Sequence, residues 1–333
     1  TVYCIGLLDL EADGPTVIEI PPRCGPGTVN DAYFRFVVDM GAPGPDRGAG
    51  GKYLVVPAWF EGELPKDKTE GGDYFICRSP SKVNVLILRG FLVDGKPDAS
   101  SQMFRQGLKI YPLSAAANPP QMEFANASRV SFNTIHANDF EFYEELDHVM
   151  HREPLELFDP EVRGLAAAIG IRKGQKFAPD ARMRKILTDA VAVGNATARA
   201  IAFRNRDPRA PLYPNSQWQT GFIGDDYRWL DGDGTGGRNF DARTRFFYMA
   251  TVNTPAMALK MVGIGSQYAI ISADKDGGDL DGARTYRLNI PPNAPAKDFW
   301  SVVVYDPQTR SELQTSQPFP SKNNQRDKLI VNA

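Results

Sequence analysis

Five short β-prone runs fall within the first 120 residues: TVIEI at 16–20, AYFRFVVDM at 32–40, KYLVVP at 52–57, DYFICRS at 73–79 and NVLILRGFLV at 84–93. Glycine- and proline-rich joints separate them. A strand sends successive side chains to opposite faces, so short runs of this kind, broken at close intervals by turn residues, predict layered sheets rather than helices. The opening TVYCIGLLDL reads as one further strand. PGPDRGAGG at 43–51 is too rich in glycine and proline for any regular element and is expected to form a surface loop before the strand at Lys52. A short helix is expected around Gln102–Lys109. Residues 1–120 are therefore expected to form an N-terminal antiparallel β-sandwich.

From NTIHANDFEFYEEL onward the apolar period lengthens to between three and four, which predicts helix. Asn138 is the expected N-cap, and Glu141 three residues on completes a capping box. A second helix is expected over Pro160–Ala168, ended by Gly170. A longer one is expected from Pro179 to Phe203, with Met183, Ile186, Leu187, Val191, Ala198 and Ile201 or Ala202 as its buried stripe. These helices make 121–205 a helical insertion. RTRFFYMATVNTPAMALKM can be helical on both sides of Pro255, although the β-branched Thr251, Val252 and Thr254 oppose it.

In the last third, a run from Tyr268 to Ala273 leads into Asp274, Lys275, Asp276, Gly277, Gly278, Asp279, Leu280, Asp281 and Gly282, and alternation resumes from Arg284 to Ile290. That pattern predicts a β-hairpin. After Pro291 and Pro292, DFWSVVVYD predicts another strand. Residues 206–333 are expected to form a C-terminal jelly-roll-like β-sandwich, so the fold class is mainly β with a helical insertion.

The text LDG, YRLNIPPNAPAKDFWSVVVYD and QTSQPFPS resembles the bacterial proteins that pair two domains of unknown function, numbers 1254 and 1214. IEIPPRCGPGTVNDAYFRFVVDMGAPGPDRGAGGKYLVVP is similar to the first of these domains. NTIHANDFEFYEEL and FAPDARMRKILTDAVAVGNATARAIAF are similar to its helical continuation. The resemblance covers nearly the whole chain and carries no established reaction. It implies an exported bacterial protein of the periplasm or exterior, and it implies that both ends are incomplete relative to the family.

Among 333 residues, 42% are hydrophobic and 23% charged, enough material for two cores. The 38 basic and 40 acidic residues are well mixed and give a net charge of −2, which argues against nucleic acid as a partner. Mean hydropathy is −0.35, and no apolar run approaches the roughly 20 residues of a membrane span. Cys4, Cys24 and Cys77 lack zinc-site spacing and read as structural thiols. A Cys4–Cys24 disulfide stays open as an alternative in an oxidising compartment.

His136 is the first catalytic candidate. With Asp139 and Glu141 close in sequence, a carboxylate-tuned imidazole can serve as general acid or base near neutral pH. The competing explanation is a histidine that ties the helix start to the adjoining sheet. Glu144, His148 and His151 share a helix face and suit a metal, but the macrodipole at a helix C-terminus explains the two histidines, and no metal is assigned. The Asp274–Asp281 cluster fails EF-hand spacing. Asp231 and Asp233 in DGDGTGG begin such a loop, but Ala242 stands where its twelfth ligand belongs. Gly263 and Gly265 lack the third glycine of a dinucleotide site, no G-x-S-x-G elbow is present, and Ser79–Lys82 has S-x-x-K spacing only by coincidence. No cofactor is expected. A second candidate is the aromatic stretch with Trp218, Asp225, Asp226, Tyr227 and Trp229, where rings beside carboxylates suit a carbohydrate or ring-bearing ligand; the alternative is that these rings fill a core.

Two functions stay open. One is a hydrolase-like enzyme with a cleft where the helices meet the sandwiches, His136 acting as acid or base with Asp139 or Glu141 orienting it. The other is a non-catalytic ligand-binding or assembly module of the cell envelope, with a small molecule or glycan as ligand and a homo-oligomer as one assembly.

Overall fold

The computed structural model describes residues 1–131, 133–232, 236–259, 267–290, 294–297 and 299–328. Residues 233–235 of the DGDGTGG loop, Gly263, Gly265, Pro291 and Pro292 lie outside these. The chain divides into two compact units, Thr1–Asn205 with Phe222–Lys260, and Arg206–Gly221 with Met261–Ala333.

The first unit begins with β1 (Val2–Asp9), α1 (Leu10–Asp13), β2 (Thr16–Ile20), β3 (Gly27–Asp31), β4 (Phe36–Met40), β5 (Gly51–Pro57), β6 (Tyr74–Ser79), β7 (Val83–Gly90), α2 (Asp98–Gly107) and β8 (Lys109–Pro112). These make two four-stranded sheets, ordered β1-β7-β3-β4 and β6-β5-β2-β8. One apolar cluster draws on both: Leu8, Val29, Leu86 and Leu88 from the first sheet, Ile18, Tyr53 and Val55 from the second, and Phe104 from α2. Strand β2 is buried on both faces, because Val17 joins Leu54, Val56 and Tyr111 in a separate cluster on the sheet's far side.

All pairings in these sheets are antiparallel except one. β6 runs parallel to β5, with Lys52 opposite Tyr74 and Pro57 opposite Ser79. The intervening chain carries it back to the start of β5, where Asp67 caps a short 3-10 turn and accepts the Ile76 N–H at 2.8 Å. The expected wholly antiparallel arrangement is corrected at this edge. Parallel strands need such a return connection, which alternation alone does not reveal.

The loop before β5 is held from inside. Asp46 is 6% exposed, and its carboxylate accepts the N–H groups of Gly41 (2.8 Å), Gly48 (3.1 Å) and Gly50 (3.1 Å) together with the Tyr53 hydroxyl. Gly50 has φ +78°, and a Cβ there would meet the Pro22 nitrogen at 2.7 Å, so the turn requires glycine.

Helices α3 (Glu141–Arg152), α4 (Pro160–Ala168) and α5 (Ala181–Phe203) follow. Met150, Leu157, Phe158, Ile171, Leu187 and Val191 form their shared cluster, against which Tyr33 of the β3–β4 turn packs. Proline at the first turn sets α4, and Asp180 caps α5 by accepting the Met183 N–H at 2.7 Å. Helix α6 (Phe240–Met249) packs on α5, and α7 (Pro255–Ala258) sits by β4. The helices expected around Pro255 thus form on both sides of an extended 250–254 step. α2 begins at Asp98, ahead of the expected Gln102, and Lys109 belongs to β8 instead.

The second unit contains β9 (Gln219–Thr220) paired with β10 (Ala269–Ile270), and β11 (Ser301–Val303) paired with β12 (Ser321–Asn323). Here the expected hairpin is shortened to an antiparallel bridge between Ala273 and Asp279 across the Asp274 turn. The Asp274 turn forms, its Oδ1 accepting the N–H groups of Asp276 (3.0 Å) and Gly278 (2.8 Å), but 284–290 is not a strand and β10 pairs with β9. Tyr286, Leu288 and Ile290 are 41%, 46% and 39% exposed, so this stretch lacks the facing layer that stabilises a half-buried strand. The described residues show a β-rich fold with several helices.

Candidate functional site

The residues around His136 build a helix entrance. Asp139 Oδ1 accepts the Glu141 N–H at 3.0 Å, and the Ala137 N–H is accepted by Glu145 Oε2, also at 3.0 Å. Asp139 therefore does the work expected of Asn138, and the reaching-back carboxylate is Glu145 rather than Glu141. His136 is exposed; its Nδ1 lies 2.8 Å from the Ala137 carbonyl, and its ring meets Phe142 edge-on at 5.6 Å. Asp139 and Glu141 are exposed beside it and make no hydrogen bond to the imidazole. At the other end of α3, His151 Nδ1 lies 2.9 Å from the Asp147 carbonyl and 3.2 Å from its carboxylate, a local helix-end contact.

The aromatic stretch is divided. Trp218 belongs to the second unit, and Asp225, Asp226, Tyr227 and Trp229 to the first. Trp229 is 2% exposed, stacked on Phe222 (centroids 5.5 Å, planes 5° apart) and packed against Phe246 at 5.0 Å, so its faces are covered by core. Tyr227 meets Phe36 edge-on at 5.5 Å, and its carbonyl accepts Asn253 Nδ2 at 2.5 Å. Burial pushes the Asp226 carboxyl up, but hydrogen bonds and charge from Arg228, 3.1 Å away, hold it below the usual carboxylate range. These residues brace the 222–230 turn against β4 and α6. The segment after α6 is pinned likewise: Asn30 and Asn253 exchange two hydrogen bonds, at 2.9 and 3.1 Å.

A groove lies where neither candidate pointed. α3 supplies Phe142 and Leu146, α4 supplies Val162 and Leu165, and α5 supplies Met183 and Ile186 to an open cavity of about 510 Å³. Apart from the Tyr143 hydroxyl, every lining side chain is hydrocarbon or thioether. Leu165 is 72% and Ile186 43% exposed. Ile186 was expected within α5's buried stripe, of which Leu187 and Val191 do face the core. The missed signal was the width of that stripe, too broad for one packing face. A second cavity, of about 350 Å³, adjoins the groove through Ile169 and Met183 and carries Arg172, Lys176 and Asp180.

All three cysteines are free thiols. Burial is the main force pushing Cys24 up to about 12, with Asp46 and Cys4 adding to it, and burial alone raises Cys77 to the same value. Among the described residues no group of three histidine, cysteine or acidic side chains has the geometry to hold a metal ion, and no helix is long and apolar enough to cross a membrane.

No curated protein matches the chain. Among solved structures it is similar to the VPA0106 protein from Vibrio parahaemolyticus, with 17% identity and a TM-score of 0.52 over 97% of this chain and 73% of that one, a likeness of fold. The family model described as protein of unknown function DUF1254 matches residues 1–112, and that described as protein of unknown function DUF1214 matches 265–333. In N- then C-terminal order the chain carries these two domains, and it belongs to the proteins that pair them.

Proposed function

We propose that the chain is a non-catalytic ligand-binding protein whose site is the groove between α3, α4 and α5. One observation carries this: a concave surface of ordinary ligand-site volume is lined by apolar side chains, with the Tyr143 hydroxyl as its single polar side-chain group and no carboxylate or imidazole. A solvent-exposed apolar concavity gains from any ligand that removes its surface from water. The test is titration with an environment-sensitive apolar fluorophore. Saturable binding that Leu165→Asp and Ile186→Asp abolish is expected; binding undiminished by both would place the site elsewhere.

A hydrolase-like reading has one observation in its favour. His136 rests against Phe142, a groove residue, so an exposed imidazole stands beside the apolar surface. If this reading holds, His136→Ala removes turnover of a fluorogenic long-chain ester; turnover that persists in that variant excludes it. The finer architecture belongs to the same proposal: an N-terminal sandwich over 1–120, a helical part over 121–205 and a jelly-roll-like part over 206–333. An exported, envelope setting rests on the family resemblance, and recovery of the native protein from the cytoplasmic fraction alone would overturn it.

A further inference from the structure

The apolar groove and the basic cavity beside it adjoin. Ile169 and Met183 line both, so the cations Arg172 and Lys176 stand in the cavity next to the groove. The two surfaces differ in chemistry: the first presents almost nothing polar, while the second presents two cations and one carboxylate. Each charged group there has a traceable assignment. Asp180 caps α5 through the Met183 N–H at 2.7 Å, which commits one of its oxygens. Arg172, which lines the cavity, donates through Nη2 to the Ala167 carbonyl at 3.1 Å. Lys176 is exposed and has no hydrogen bond or ion pair among the described residues. The third cation of this turn, Lys173, is turned away, its Nζ donating to the carbonyls of His151 and Glu153 at 2.6 Å each. The charged side chains lining this cavity, two cations and one carboxylate, thus sum to plus one beside a hydrocarbon trough.

Resting on the ligand-binding reading above, we infer that the ligand is a single-chain anionic amphiphile, a free long-chain carboxylate, with its tail in the α3–α4–α5 groove and its head at Arg172 and Lys176. A hydrocarbon tail matches a trough lined by Leu, Ile, Val, Phe and Met side chains. A carboxylate matches a guanidinium and an ammonium within one cavity. A neutral sterol or alkane would leave both cations unused, and a small hydrophilic anion would leave the trough exposed. The trough's concavity and the chain's net charge of −2 favour a free molecule over an anionic bilayer.

Palmitate, kept below its micelle concentration, is titrated calorimetrically into the full chain, with hexadecanol and octanoate alongside. Palmitate is expected to saturate one site, with hexadecanol about tenfold weaker and octanoate weaker still. Lys176→Ala and Arg172→Ala each weaken palmitate about tenfold and leave hexadecanol unchanged. Leu165→Asp removes both, and at 72% exposure that side chain can be replaced without unfolding the chain. Equal affinity for palmitate and hexadecanol, with Lys176→Ala neutral, overturns the anionic head while the groove reading stands. Absence of binding by all three probes overturns both. Co-sedimentation with phosphatidylglycerol vesicles without binding of monomeric palmitate overturns the inference in favour of a membrane surface. Self-association that Leu165→Asp abolishes, with no palmitate binding, overturns it in favour of a second copy.

Discussion

Asp39 shows how burial can turn one carboxyl into a pH-dependent element of stability. The residue is 8% exposed on β4, and burial pushes its pKa up to about 6, against the pull of Thr28, the Ala256 N–H and Thr254. A carboxyl raised in the folded state favours folding below its unfolded pKa, near 4, and loses that contribution as pH rises through about 6. Asp39→Asn removes the charge that must be buried at neutral pH. The variant is expected to be more stable than the parent at about pH 7.5, by on the order of 1–2 kcal/mol, with the gain vanishing near pH 4. Urea denaturation across that range checks it; a constant difference at all pH values would show that Asp39 titrates normally. Trp229 poses a contrasting case. Its ring is enclosed by Phe222, Phe246 and Phe247, so Trp229→Ala should cost about 3–5 kcal/mol while leaving the affinity of the α3–α5 groove unchanged. A binding loss without a stability loss would return that indole to the ligand site.

Among elements, the joint between the helices and the sheets rests on Glu153, just past the end of α3. It is 1% exposed, and its two carboxylate oxygens accept the N–H groups of Lys82 (2.6 Å) and Val83 (3.0 Å) at the start of β7. Removing it strands two half-buried donors, so Glu153→Ala should destabilise the chain by about 2–4 kcal/mol, and Glu153→Gln by less. Chemical denaturation measures this, and equal stability of Glu153→Ala and parent would mean that water replaces the carboxylate. Arg152 beside it pairs with Asp9 at 2.5 Å on the surface, where the same substitution should matter far less. Nothing in the local pattern around Glu153 marks it, because its partners lie 70 residues away. Elements set by local signals are legible in the sequence, and those set by distant partners are not. α4 was legible end to end because Pro160 starts it and Gly170 follows it, both local signals. β3 and β8 were missed because GTVND and KIYP are short and owe their pairing to β7, β4 and β2. The parallel edge at β6 depends on where a return loop delivers the chain. The groove depends on three helices leaving a gap, and Met183 and Ile186 carry the same apolar signature whether they face a core or a trough.

At the scale of the whole molecule, burial is unequal between the two compact units. The three apolar clusters described above belong to the first unit, with its two four-stranded sheets. Among the described residues of the second unit, the hydrophobic side chains that are buried are Ala210 and Ala273, while Tyr268, Tyr286, Leu288, Phe299, Val304 and Phe319 are each at least 41% exposed. Its strands number two or three residues apiece and pair two by two. A two-stranded ribbon without an apolar face is marginal in water, because the entropy lost in ordering its backbone has no burial to offset it. Hydrogen exchange should therefore divide along the same line. Amides of β2, β5 and β7 are expected to exchange only on global unfolding, and those of β9–β12 through local opening that costs about 0–2 kcal/mol. Peptide-level exchange measured by mass spectrometry distinguishes the two. If β11 and β12 proved as protected as β5, a stabilising layer would have to cover Val304 and Phe299. Addition of palmitate supplies the second half of the measurement: it should slow exchange in α3, α4 and α5 while leaving β9–β12 unchanged, since a ligand stabilises only the openings that expose its own site.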